Sequence, residues 1–440
     1  MTPQAASSDG NEDARCDHRT VCESKRLRED GRLALPGVAS EHNADRGISS
    51  AHAAMVRESM MLGIPREYIN LKRPAAMVNW YRSRALMARR NRPPDAPLLP
   101  VTAQIEPTVK CDLDCTFCQS RELRKARPAM HMPFEHFERI IKELDFLVSV
   151  GLVGMGEPTL HPEFFRMVEL ADSLGIATNT VTNCNRHSDQ TARRLVSVGL
   201  KKIAVSIDGA SPQTYQQARI GGDFRRTIAN LERLVRLRGS ARLPRIEVQM
   251  VALESNYHEI PELVRLCARI GVDSLMIQGR PTDWGKDRYV GKTVGVAART
   301  AGQRYEQRLR EAIALGAELG LECDDHRSLY DRDHTCPKPW RDVYVSTTGE
   351  VVPCCTIADP RVVCLGNLLE QSFREIWNGP RYVRFREALM SDRIPRCCWQ
   401  CYASDRLVER LEEGQLAGEG EAASKHITPS RSEDGESAVA

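Results

Sequence analysis

From residue 101 to residue 278 short β-rich runs alternate with longer amphipathic stretches, a rhythm that few folds accommodate. The candidate strands are VTAQIEP (101–107), VGLVGMG (150–156), IATNTVTN (176–183), KIAVSID (202–208), RIEVQMVA (245–252) and DSLMIQ (273–278). Between them lie FEHFERIIKELDFL, PEFFRMVELADSLG, TARRLVSVG, FRRTIANLERLVRL and EIPELVRLCARIG, in which apolar residues recur at helical spacing. Six such repeats predict parallel strands joined by right-handed crossovers. The expected fold is α/β, a partial (β/α)6 TIM-like barrel over 99–285. Chemistry in such barrels sits on loops at the C-terminal ends of the strands.

The flanks read differently. Residues 1–50 and 412–440 are rich in Ser, Asp, Glu, Ala and Gly without a sustained hydrophobic period, so both are expected to be disordered tails. Over 51–98 apolar residues recur at helical spacing (Met55, Met60, Met61; Met77, Trp80, Tyr81, Leu86, Met87) until RNRPPDAPLLP breaks the pattern, which predicts a helical prelude and a linker. The basic run YRSRALMARRNR reads as a solvated helix face, with contact to an acidic partner as the alternative. With 62 basic and 59 acidic residues the formal charge is +3, too weak a field to argue for nucleic acid or an anionic membrane. No run approaches about 18 apolar residues, and the polar start lacks the apolar core of an export signal, so a cytoplasmic protein is expected. In that reducing compartment fifteen cysteines do not suggest a disulfide framework; clustered ones read as ligands.

The stretch KCDLDCTFCQS places Cys111, Cys115 and Cys118 directly after the first strand. Thiolates suit iron, and an iron–sulfur cubane has four irons to satisfy. A C-x3-C-x2-C loop ligates three of them and leaves the fourth open to a small molecule, as a catalytic cluster requires. The alternative is a structural zinc or iron site completed by a distant cysteine.

This spacing, with Phe117 just before the last cysteine, resembles the signature of radical S-adenosylmethionine (SAM) enzymes. The resemblance implies a 4Fe-4S cluster whose open iron is chelated by SAM. One electron then cleaves the sulfonium to a 5′-deoxyadenosyl radical, which abstracts hydrogen from an unactivated C–H bond. A flavodoxin- or ferredoxin-like electron donor is implied with it. The second strand ends in GMGEP, which is similar to the family's GGEP segment: Gly154 and Gly156 permit close backbone approach, Glu157 offers an acceptor for the SAM ammonium, and Pro158 follows. Met155 replaces one glycine of the usual pair, and an ordinary strand-ending turn is the alternative. Ser206 and Asp208, two residues apart and so expected on one strand face, resemble the ribose-contacting positions. Thr182 and Asn183 end the third strand in the family's TN arrangement, and Arg219 stands where relatives keep an arginine for the SAM carboxylate.

The resemblance extends to a small C-terminal, cysteine-rich α+β domain of the SPASM/twitch type over 331–411, reached through a helical connector at 286–330. Cys336, twelve residues, Gly349, four residues and Cys354 match the C-x9-15-G-x4-C opening of such domains, a hairpin that returns the second cysteine toward the first. LGNLLEQSFREIWNGPRYVRFREAL looks like the helical insert found there, and PRCCWQC supplies Cys398 and Cys401. Leu407 stands where a full SPASM domain continues with cysteine, so one auxiliary 4Fe-4S cluster is expected. Cys355 and Cys397 neighbour proposed ligands and would replace them after a one-residue slip; a zinc ribbon is the bland alternative. Cys16, Cys22, Cys184, Cys267, Cys323 and Cys364 lack ligand spacing and read as plain thiols, and His131 and His161 as helix-flanking residues.

Two uses are known for enzymes of this kind: oxidising or cross-linking a peptide or protein, and oxidising a small molecule such as a sugar or aminocyclitol. Peptide-modifying members often carry an N-terminal leader-binding domain with a three-stranded sheet, and the first hundred residues show no such strand pattern. The expectation is therefore dehydrogenation of a small molecule, with peptide maturation as the alternative. A non-enzymatic iron–sulfur carrier or sensor would leave GMGEP and the Ser206/Asp208 pair idle.

Overall fold

The computed structural model describes residues 66–70, 72–89, 92–126, 130–279, 302–325, 336–391 and 394–398; both expected tails lie outside them. After helix α1 (Pro74–Met87) the chain enters a repeating α/β pattern. Strand β1 (Thr102–Ile105) leads through α2 (Ser120–Ala126) and α3 (Phe134–Glu143) to β2 (Ser149–Leu152). Then come α4 (Phe164–Ser173), β3 (Ala177–Thr182), α5 (Asp189–Ser197) and β4 (Lys202–Ser206). Helices α6 (Pro212–Ala218) and α7 (Phe224–Arg238) precede β5 (Arg245–Val251), and α8 (Ile260–Ile270) precedes β6 (Ser274–Gln278). All six strands foreseen from the sequence are present, each parallel to the next.

The sheet does not stop there. Helix α9 (Gly302–Leu319) returns the chain to β7 (Glu322–Asp325), parallel to β6. The 286–330 stretch, expected as helical connector, thus contains a strand. Its sequence, ECDD, hides it: an exposed edge strand has no apolar alternation to show. After the short α10 (Lys338–Arg341), β8 (Asp342–Val345) pairs in parallel with β1, with Gln104 opposite Tyr344. Strand β9 (Glu350–Val352) folds back antiparallel on β8, and β10 (Gly366–Asn367) pairs with β9. Among the described residues, one ten-stranded sheet in the order β10-β9-β8-β1-β2-β3-β4-β5-β6-β7 therefore runs from the barrel into the cysteine-rich region.

The core sits between sheet and helices. Along β5, Ile246, Val248 and Met250 are buried while Glu247, Gln249 and Val251 alternate with them on the other face. On α3, Phe137, Ile140 and Ile141 are fully buried at helical spacing, each contributing about 1.5–3 kcal/mol by leaving water. Helix α10 together with α11 (Phe373–Trp377) and α12 (Pro380–Met390) closes over the linker before β1: Trp377 Nε1 of α11 donates to Leu98 O at 2.9 Å and Trp340 Nε1 of α10 to Pro93 O at 2.6 Å. Arg386, fully buried, donates to the carbonyls of Pro339, Trp377 and Pro94 and lies over the Trp377 and Tyr382 rings. Among the described residues no helix is long and apolar enough to cross a membrane.

Candidate active site

The loop that follows β1 carries Cys111, Cys115 and Cys118, and backbone hydrogen bonds set its path. Asp114 N donates to Ile220 O at 2.9 Å and Thr116 N to Ala218 O at 3.0 Å, both beyond or at the end of α6. Glu157 N donates to Lys110 O at 2.8 Å, tying the loop to the end of β2. The sulfurs attract N–H groups: Leu113 N lies 3.5 Å from Cys111 Sγ and Ser120 N 3.4 Å from Cys118 Sγ. Asn183 Nδ2 lies 3.9 Å from Cys111 Sγ, and Arg219 Nη1 lies 3.9 Å from Cys115 Sγ. Burial pushes the Cys111 and Cys115 thiols up to about 12, and the three sulfurs reinforce this through mutual repulsion of their thiolates. No three Cys, His, Asp or Glu side chains among the described residues surround a single ion. Three sulfurs within electrostatic reach of one another, each with an N–H donor close by, are chemically suited to corners of a multi-iron cluster, which deprotonates its thiols.

The GMGEP segment lies against this loop because its glycines have no side chains. A Cβ on Gly154 would fall 2.3 Å from Glu106 Cγ, and one on Gly156 would fall 2.3 Å from Thr108 O. Buried Glu106 accepts from Met155 N at 2.9 Å, so it braces the segment; nothing in the sequence marks it for this. Glu157, expected to face an ammonium, turns its carboxylate toward the end of β3. Its Oε1 accepts from Thr159 Oγ1 at 2.7 Å and Thr182 Oγ1 at 2.8 Å, and its Oε2 from Asn183 N at 2.7 Å. Burial raises its pKa while these hydrogen bonds pull it back. Buried Pro158 begins a 3-10 turn. His187 Nε2 lies 3.0 Å from Thr182 Oγ1, and Cys184 Sγ lies 3.4 Å from His187 Nδ1. Because the Thr182 hydroxyl donates to Glu157, Nε2 carries the His187 proton and Nδ1 accepts from the thiol. Burial pulls His187 down to about 4.

Ser206 is the last residue of β4, half-buried, and Asp208 lies past the strand end, fully buried. The pairing with β5 carries on past Ser206, with Ile207 N donating to Gln249 O at 2.8 Å. Asp208 accepts from Val251 N at 2.7 Å and pairs with Arg219 Nε at 2.7 Å. Burial opposes the Arg219 charge, but Asp208, Cys115 and Tyr215 around it together outweigh this and raise the Arg219 pKa. Phe117 lies with its ring centroid 5.9 Å from the same guanidinium.

A second cysteine group forms in the C-terminal region. The β8–β9 hairpin turns at Gly349, whose N–H donates to Ser346 O at 3.1 Å, and brings Cys354 back toward Cys336. Cys336, Cys354, Cys397 and Cys398 line one cavity, closed by Phe385 and Leu389 of α12. Cys355 faces elsewhere, packing with Met155 against Tyr344, Val352 and Ala358. Cys397 and Cys398 share the cavity, so the slip between them leaves a thiol there in either case. Cys401 lies outside the described residues. Burial raises the pKa of the Cys336 thiol.

Residues 105–267 match the Radical SAM superfamily, and residues 336–402 match the SPASM iron–sulfur cluster-binding domain. The chain is a radical SAM protein with a C-terminal SPASM domain, and as such it binds a 4Fe-4S cluster, SAM and auxiliary iron–sulfur. It is similar to the AdoMet-dependent heme synthase of Methanosarcina barkeri, 24% identical over 303 residues, which cover 63% of this chain and 82% of that protein. It is also similar to the PqqA peptide cyclase of Gluconobacter oxydans, 27% identical over 323 residues, 70% of this chain and 85% of that protein. The fold is shared with SuiB of Streptococcus suis, solved with its precursor peptide SuiA, at 18% identity and a TM-score of 0.53 over 76% of this chain and 79% of that one.

Proposed function

We propose that the protein is a maturase that oxidises or cross-links side chains of a peptide or protein, in place of the small-molecule dehydrogenation expected from the sequence. The observation that carries this reading is the 27% identity running through 85% of a peptide cyclase. The contrary expectation rested on a missing strand pattern in the first hundred residues, and residues 1–65 lie outside those described. Identity to a heme synthase over 82% of its length favours a second reading, haem-forming chemistry.

Cys111, Cys115 and Cys118 hold the catalytic cluster, and the N–H donors at their sulfurs stabilise the thiolates. Bound there, the cluster and SAM supply a carbon-centred radical able to take hydrogen from an unactivated C–H bond. Gly154 and Gly156 keep the loop after β2 close against the cysteine loop, with Pro158 fixing its exit. Glu157 locks that loop to Asn183 at the end of β3. Arg219, oriented by Asp208 and stacked toward Phe117, presents a fixed cation for the SAM carboxylate, and half-buried Ser206 offers a hydroxyl to its ribose. Cys336, Cys354, Cys398 and Cys401 hold one auxiliary 4Fe-4S cluster, with Cys397 in the same cavity.

The test is anaerobic incubation of the reconstituted protein with SAM and dithionite, once with short peptides encoded beside its gene and once with haem precursors, followed by mass spectrometry. Loss of hydrogen from a peptide supports the maturase. Unchanged peptides with conversion of a haem precursor overturn it in favour of the second reading.

A further inference from the structure

Asp112 follows the first cluster cysteine, and its side chain is only 8% exposed. Its Oδ1 accepts from Asn183 Nδ2 at 2.7 Å, its Oδ2 from Asn185 Nδ2 at 2.9 Å, and Arg186 Nε lies 3.3 Å from Oδ2. All three partners come from the loop between β3 and α5. Arg186 is 66% exposed and so contributes little; the two amides make the contact.

The loop that supplies them is itself held rigidly. Cys184 adopts φ 57°, in the left-handed region, and its carbonyl accepts from Asn230 Nδ2 at 2.8 Å. Asn185, buried, uses both ends of its amide: while Nδ2 reaches Asp112, Oδ1 accepts from Asp223 N at 3.0 Å at the start of α7. Asn183 N is anchored on Glu157. The Cys115 side of the cluster loop is pinned to Ala218 and Ile220 by backbone hydrogen bonds. On the Cys111 side, beside the 3.9 Å approach of Asn183 Nδ2 to Cys111 Sγ, Asp112 ties the loop to the segment that follows β3.

We propose that Asp112 and Asn185 form a clasp that positions Cys111 and thereby governs how tightly the N-terminal cluster is retained. The proposal rests on the reading that Cys111 ligates that cluster. A buried carboxylate held by two amides fixes the backbone one residue from the sulfur; without it the Cys111 segment is held only from its ends, where Glu157 N donates to Lys110 O and Asp114 N to Ile220 O. Residues that orient metal ligands in this way typically change metal retention by about 10- to 100-fold.

The test uses the full, reconstituted chain. Iron release to bathophenanthroline is timed, and the cluster concerned is identified as the one whose EPR signal changes when SAM is added. Asp112→Ala and Asn185→Ala should each speed loss of the SAM-responsive cluster about 10-fold, with auxiliary iron and circular dichroism unchanged. The double variant should match Asp112→Ala within about twofold, because the two residues act as one unit. Asn185→Asp, which sets a second carboxylate against Asp112, should lose iron faster than Asn185→Ala, an ordering that packing alone does not produce. Wild-type retention in both alanine variants, while Cys111→Ala loses the SAM-responsive cluster, would overturn the clasp. Retention in Cys111→Ala would instead overturn the ligand reading, and the clasp with it.

Discussion

At Gly156 the loop after β2 packs directly against the backbone that follows β1. A methyl group there would sit 2.3 Å from Thr108 O and 2.7 Å from Lys110 O, both backbone atoms that cannot rotate aside. To restore the 3.0 Å below which real contacts of this kind essentially never fall, the segments must part by about 0.7 Å, the difference from 2.3 Å. The hydrogen bond from Glu157 N to Lys110 O, 2.8 Å long, spans that gap and is stretched and weakened. Overpacking costs about 1–3 kcal/mol, and weakening that hydrogen bond adds up to about 1 kcal/mol. The larger consequence is positional, since a shift near 1 Å in a positioning element is worth about 100-fold in rate. Gly156→Ala should therefore lower SAM-dependent 5′-deoxyadenosine formation about 100-fold and weaken SAM binding measured by calorimetry. Iron content should stay at the wild-type value, because the cysteine loop keeps its anchors on Ala218 and Ile220. Met155→Ala, one residue earlier, trims a half-buried thioether without crowding and should have a much smaller effect. Wild-type SAM affinity and turnover in Gly156→Ala would refute the reasoning.

Other expectations follow from buried charge and from cluster count. Asp208→Ala leaves the Arg219 guanidinium buried without its partner and should destabilise the barrel by about 3–5 kcal/mol, seen as a lower thermal midpoint; removing Arg219 as well should recover part of the loss. His187 has its pKa lowered from 6.5 to about 4, so the unfolded chain binds a proton in that window that the folded chain refuses, and stability falls as pH drops through it. At about 1.36 kcal/mol per pH unit the loss reaches about 3 kcal/mol by pH 4; thermal midpoints against pH should be less steep in His187→Asn, and equal slopes would contradict the assignment. Reconstituted wild-type protein should hold about eight irons from two four-iron clusters, and about four after Cys336 and Cys354 are both changed to Ala. About four irons in the wild type, with zinc in the C-terminal site, would remove the auxiliary cluster; circular dichroism reports whether the variant keeps its fold.

The strands of the barrel were legible because each is a short β-rich run bounded by an amphipathic helix, and the cysteine loop because its spacing is local. What escaped notice depends on partners distant in sequence. The parallel pairing of β8 with β1 joins residues 342–345 to 102–105, and no periodicity announces it. Strand β7 escaped because acidic residues on an exposed edge carry no alternation. Glu106, Asp112 and Asn185 look like ordinary polar residues until Gly154, Asn183 and Asp223 are brought beside them. The pairing of Asp208 with Arg219 was likewise hidden, because the two stand on separate elements and meet only in the fold. The choice of Cys354 over Cys355 was open in the sequence, and the hairpin separates the two: one lines the C-terminal cavity and the other packs against Met155.

The central claim is that Cys111, Cys115 and Cys118 together make the site where SAM is cleaved. It is tested most directly by quantifying 5′-deoxyadenosine from anaerobically reconstituted protein with SAM and dithionite, for the wild type and for each single Cys→Ala variant. The account predicts product from the wild type and none from any of the three variants, while circular dichroism shows the barrel intact in all. Product from any one of the variants, or none from a fully iron-loaded wild type, would contradict it.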